Sequence, residues 1–222
     1  MQDLYLIILI IALPLMAQIY IKVSYSNNSK RKNEKGLTGY DTARAILDKN
    51  GLNDMVIVET KGTLTDHYDP SRKVVRLSTD IYHNTSVAAM AVAAHECGHA
   101  IQDKKGYFFF KLRSTLVPVV SFISRIAYIV MIIGFFLEYI NMIYAAIIMV
   151  GAGVLFQIVT LPVEIDASKR AHKELEEISL ASNRDLDGVK NMLTAAALTY
   201  VAGALSEILQ LIRLIGIARD RN

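Results

Sequence analysis

Cysteine is almost missing from this 222-residue chain: Cys97 stands alone, so no intrachain disulfide can brace the fold. Nothing therefore ties its soluble part to an oxidising compartment. Excess charge is also lacking. A formal net charge of +3 leaves no broad basic field of the kind that binds nucleic acid. No internal repeat is visible. What the chain does have is apolar residues, 53% of the total, against about 45–50% in a soluble domain. They are gathered into long uncharged runs, which is the pattern of a membrane protein.

The first run, residues 4–21, is uncharged and long enough to span a bilayer. A cleaved signal peptide needs a basic segment ahead of the run. Here Asp3 precedes it, and the basic residues Lys22, Lys30, Arg31, Lys32 and Lys35 follow it. A retained anchor is expected, with the N-terminus outside and the stretch after Lys22 in the cytoplasm. Residues 24–36 read as a flexible connector. Two further runs, 116–137 and 142–163, are joined by Glu138-Tyr139-Ile140-Asn141, a short turn without a basic residue. They form an outward-facing hairpin whose open ends face the cytoplasm. A last apolar stretch, within 191–222, carries Glu207, Gln210 and Arg213. It is either a fourth span or a helix lying on the membrane, and Arg213, Arg219 and Arg221 argue mildly for a cytoplasmic end.

The polar residues fall mainly between the first and second runs. Residues 38–49 have the apolar spacing of an amphipathic helix, stopped by Asn50-Gly51. Residues 55–60 and 74–77 read as strands, with His67 and Tyr68 in a turn between them. The second strand offers an edge to which an extended peptide could add. Asn84-Thr85-Ser86 supplies a cap for an apolar helix over 87–102.

That helix carries His95-Glu96-Cys97-Gly98-His99, an H-E-x-x-H motif. At about 100° per residue the two histidines project from one face, one turn apart. Two imidazoles so placed can hold a zinc ion, and Glu96 beside them can act as general base. Two histidines and a glutamate on a buried helix without a metal would carry a large desolvation cost. Cys97 lies opposite the ligand face and reads as core. Gly98 leaves room for a close approach. A catalytic zinc needs a third protein ligand. Glu164 is the best candidate: flanking charges and run lengths place it on the same membrane side as the motif, whereas Glu138 sits on the outer turn. Asp166 is the runner-up. Glu164 would otherwise be a helix-start carboxylate. His67, Tyr68 and His172 are candidates for oxyanion or substrate contacts.

Four segments carry a family likeness: 64–70 (LTDHYDP), 86–102 (SVAAMAVAAHECGHAIQ), 161–170 (LPVEIDASKR) and 197–213 (ALTYVAGALSEILQLIR). In these the chain resembles the YugP-like neutral zinc metallopeptidases, small bacterial multi-pass membrane proteins, and the likeness runs over nearly its whole length. The resemblance implies zinc, a gluzincin-like His-His-Glu site and proteolysis. The chain is similar, more distantly, to the HtpX and CAAX-protease group. There a ligand glutamate on a later helix is usually followed by an aspartate four residues on. Here Ser168 holds that place and Asp166 comes early.

The expected molecule is a mostly α, multi-pass helical protein of the cell membrane with a small α+β cytoplasmic zincin-like domain. Its parts are an anchor (1–23), the domain with the motif (24–115), the hairpin (116–163), a cytoplasmic helix with the third ligand (164–190) and the apolar C-terminal helix (191–222). It would bind one Zn²⁺ through His95, His99 and Glu164. Its partners would be the lipid bilayer and a peptide or membrane-protein substrate, cut as by an endopeptidase at the cytoplasmic face. The competing readings are a protease cutting within the bilayer and a metal-binding scaffold without proteolysis.

Overall fold

The computed structural model describes residues 2–63 and 65–220. Leu64 and Arg221, used above, lie outside the described residues, as does the side chain of Asp3. The fold is mostly helical: α1 (Gln2–Ser29), α2 (Gly39–Lys49), β1 (Val56–Thr60), β2 (His67–Asp69), β3 (Val74–Ser78), α3 (Thr79–His83), α4 (Val87–Lys104), α5 (Phe108–Phe136), α6 (Ile140–Glu177) and α7 (Asn183–Asp220).

Among the described residues four helices are long and apolar enough to cross a membrane: Leu4–Ser29, Phe108–Phe136, Ile140–Glu177 and Asn183–Arg219. Large apolar side chains such as Ile8, Ile11, Phe122 and Ile148 stand exposed on them. In water each would forgo about 1.5–3 kcal/mol of burial, a loss that lipid removes. α7 packs along α1 and runs antiparallel to it. Ser24 Oγ donates to Asn191 Oδ1 at 2.5 Å, and Ser206 Oγ donates to the Ile10 carbonyl at 2.7 Å. Further along, Leu214 and Ala218 join Met131 and Ile143 in one small core. The C-terminal end of α7 thus lies with the turn of the hairpin.

One expectation about a connector needs correction. Residues 24–29 continue α1 as helix, with Ser24 and Asn28 buried. Beyond them Asn33 is also buried, and its amide donates to the carbonyls of Leu37 and Thr85 at 2.7 and 2.6 Å. The segment is docked because those hydrogen bonds replace water on its polar groups. The charged helix expected from Glu164 is continuous with the third apolar run, as one helix α6 to Glu177.

The local signals explain the polar part. Thr38 and Asp41 form a reciprocal capping box at the start of α2. Ser86 caps α4 by accepting the Ala89 N–H at 3.1 Å. The sheet has three strands in the order β1-β3-β2, with β1 parallel and β2 antiparallel to β3. This overturns two expectations. His67 and Tyr68 lie in a strand, not a turn. Residues 74–77 belong to the central strand, paired with β1 throughout and with β2 at 74–76, so only Leu77 lacks a second strand partner. A three-residue strand carries too little periodicity to be read locally. Beneath the sheet one apolar core joins α2, the strands and α3 to α4, α6 and the first turns of α7.

Candidate metal centre

α4 and α6 cross at very close range, and Gly98 permits it. A Cβ built on Gly98 would meet the Ala167 carbonyl oxygen at 2.5 Å, closer than real contacts allow. Ala167 and Ala171 on α6 are small and fully buried. The crossing brings three side chains to one point. His95 Nε2 lies 3.3 Å and His99 Nε2 3.6 Å from the same oxygen, Glu164 Oε2. One ligand atom from each of the three residues falls within 4.8 Å of the others.

That geometry fits a zinc ion. Ligands at about 2.0–2.2 Å in a tetrahedral shell stand about 3.3–3.6 Å apart. The chemistry of the donors fits as well. Gln102 Nε2 donates to the Val163 carbonyl and to Asp166 Oδ2, both at 2.8 Å, which turns Gln102 Oε1 toward His99 Nδ1 at 3.0 Å. An oxygen there requires Nδ1 to be the protonated nitrogen, so a neutral His99 directs the lone pair of Nε2 at Glu164. A lone pair facing a carboxylate oxygen is accommodated by a metal ion between them, as it would be by a second ring proton.

The surroundings hold each ligand in place. Ser168 Oγ lies 3.3 Å from His95 Nδ1. Arg113 Nη1 pairs with Glu164 Oε1 at 2.9 Å, which leaves Oε2 toward the histidines. Asp166 reaches His99 only through Gln102 and also accepts from Arg170 Nε at 2.5 Å. Such partners fix the ring orientation and raise ligand basicity. Asp166 is therefore outside the three-residue cluster.

Glu96 is buried beside His95, and its Oε2 accepts the Tyr68 N–H of β2 at 2.9 Å. Burial pushes its carboxyl up to about 7, against the opposing pull of His95. A base with its pKa near neutrality is suited to taking and returning a proton. Cys97 packs into the core with Sγ 3.6 Å from the Ala43 carbonyl, and burial raises its thiol.

The centre opens into a cavity of about 340 Å³ whose wall includes His67, Tyr68, Phe110, Arg113 and Tyr200. The three candidates for oxyanion or substrate contacts therefore part company. His67 shares the cavity. Tyr68 lines it too, but its hydroxyl is bonded to Asp103 Oδ2 at 2.7 Å. His172 lies in a different cleft, between α6 and α7. Arg113 and Tyr200 escaped the sequence reading. Arg113 stands just ahead of an apolar run and Tyr200 within one, and neither position tells which polar residue meets a distant glutamate.

A family model described as "Putative neutral zinc metallopeptidase" matches residues 4–219. The chain belongs to that family. It is also 43% identical to "Putative membrane protease YugP" of Bacillus subtilis (strain 168) over 225 residues, covering 100% of both chains. No solved structure matches it. Within this metallopeptidase family frame, Gly98 is a sharp probe of the α4–α6 crossing. Gly98→Ala must force the helices apart at the Ala167 carbonyl, and overpacking of this kind costs about 1–3 kcal/mol. The expected result is a lower melting temperature together with weaker zinc binding, read by thermal unfolding and by competition with a chromogenic chelator. A variant as stable and as tight as the parent would show that the crossing is looser than described.

Proposed function

We propose that the chain is a zinc-dependent membrane endopeptidase acting at the cytoplasmic boundary of the bilayer. One observation carries the reading: a His95–His99–Glu164 cluster and the buried carboxylate of Glu96 converge on one open cavity. Family membership and the relative's description support it. His95, His99 and Glu164 would hold one zinc ion, which supplies Lewis acidity toward the scissile carbonyl and acidifies a water. Glu96, held through one oxygen by the Tyr68 N–H, accepts the proton of the attacking water and returns it to the leaving amine. His67 and Tyr200 line the space where a substrate carbonyl would lie, and either can donate to its oxygen.

The polar domain, with the zincin-like pairing of a small sheet and an H-E-x-x-H helix, follows the basic residues after α1. The positive-inside rule assigns that side to the cytoplasm. Cutting within the bilayer is disfavoured, because α4 is not among the four helices suited to cross it. A metal-holding scaffold is disfavoured by Glu96, which a purely structural site does not need and whose burial is costly.

The test is metal removal. The purified full-length chain with one zinc should cleave a mixture of unstructured peptides, lose that activity on chelation and regain it when zinc is restored. Zinc-loaded protein that cleaves nothing would sink the peptidase reading.

A further inference from the structure

A second cavity adjoins the same centre, on its α4–α7 side. It measures about 190 Å³ and shares Asp66, His95, Glu96 and Tyr200 with the first. Its remaining wall is apolar throughout: Ala91 and Val92 from α4, and Met192, Leu193 and Ala196 from α7. The two cavities differ in kind. The first continues past Arg113 and Ser114 of α5, while the second runs along aliphatic groups of α4 and α7. Its size is below the roughly 300–1,000 Å³ of pockets that take whole ligands, so it suits one side chain.

We propose that this second cavity is a specificity pocket, taking a medium-sized apolar side chain (leucine, methionine or phenylalanine) from one of the two residues flanking the scissile bond. The proposal rests on the peptidase reading above. A peptide carbonyl placed at the His95–His99–Glu164 cluster has its neighbours on either side of that point. One neighbour can then enter the α4–α7 cavity while the other faces the first. A charged side chain there would be desolvated, and the polar groups of the wall are already engaged: Asp66 is bonded to Ser78, and His95, Glu96 and Tyr200 stand at the metal centre. An apolar side chain gains burial instead. Ala196 is the smallest group that α7 contributes to the wall, and it sets the depth of the pocket.

The experiment compares the full-length zinc-loaded protein with Ala196→Leu and Val92→Ala on a peptide library, sequencing cut sites by mass spectrometry. The parent should show leucine, methionine or phenylalanine at one flanking position. Ala196→Leu, shown to keep one zinc, should lower the ratio of kcat/KM for leucine over alanine there by about 10-fold or more, within the range a methylene or two commands in an apolar pocket. Val92→Ala should move the preference the other way, toward larger rings. A second readout avoids turnover: in a Glu96→Gln background, peptide affinity measured by fluorescence anisotropy should follow the same order. A charged or absent preference in the parent, or profiles unmoved by both substitutions, would overturn the pocket and leave the peptidase reading intact. Absence of any cleavage by the parent would overturn both.

Discussion

Glu96→Gln abolishes peptide cleavage while one zinc ion stays bound: this is the expected result with the largest consequence. The amide is nearly the size of the carboxylate, and its carbonyl oxygen can still accept the Tyr68 N–H that now binds Glu96 Oε2 at 2.9 Å. What it cannot do is take a proton from water. General acid–base catalysis contributes about 10²–10⁴-fold, so kcat should fall by at least that order with little change in melting temperature. Since Glu96 is not in the ligand cluster, zinc affinity should be retained. Activity equal to the parent's would remove Glu96 from the mechanism. Loss of zinc together with activity would assign it to the metal instead. If the substituted protein kept its full biological effect in cells, catalysis would not be its function, and the scaffold reading would return.

Glu164→Ala is expected to release the metal. It removes one of three protein ligands, and it also strands Arg113, whose guanidinium pairs with Glu164 at 2.9 Å beside the site. Loss of a partner that only orients a ligand costs about 10–100-fold in metal affinity. Loss of the ligand itself should exceed about 100-fold. Zinc content after dialysis against a weak chelator would be measured, with Asp166→Ala as the comparison. Asp166 touches the site only through Gln102, so its removal should cost less than Glu164's. A larger loss in Asp166→Ala than in Glu164→Ala would show that the third ligand had been misassigned.

These two residues mark the line between local and distant information. The spacing of His95 and His99 needs only 3.6 residues per turn, and the cap at Ser86 only three residues of sequence, so both were legible. The four apolar segments were legible because lipid imposes a length and a composition. Membrane sidedness could assign Glu164 to the domain's side but not to within 3.3 Å of His95. That distance depends on Gly98 meeting the Ala167 backbone, a pairing set by the packing of α4 on α6.

Other features were not local at all. The strand β2 is three residues long and exists through its pairing with β3. Arg113 and Tyr200 reach the centre from helices whose composition reports chiefly their apolar surroundings. The direction of α7 relative to α1 and the hairpin followed from its seams with them, which join residues far apart in the sequence.

The sequence by itself determined the kind of molecule: an apolar chain with one cysteine, helices long enough for a bilayer, and two imidazoles and a carboxylate on one helical turn. Those are properties of composition and of short-range periodicity. The tertiary structure decided which glutamate meets the histidines, which residues hold each ring, and which walls surround the cavity. Such contacts join segments dozens of residues apart, and only the packing of whole helices determines them.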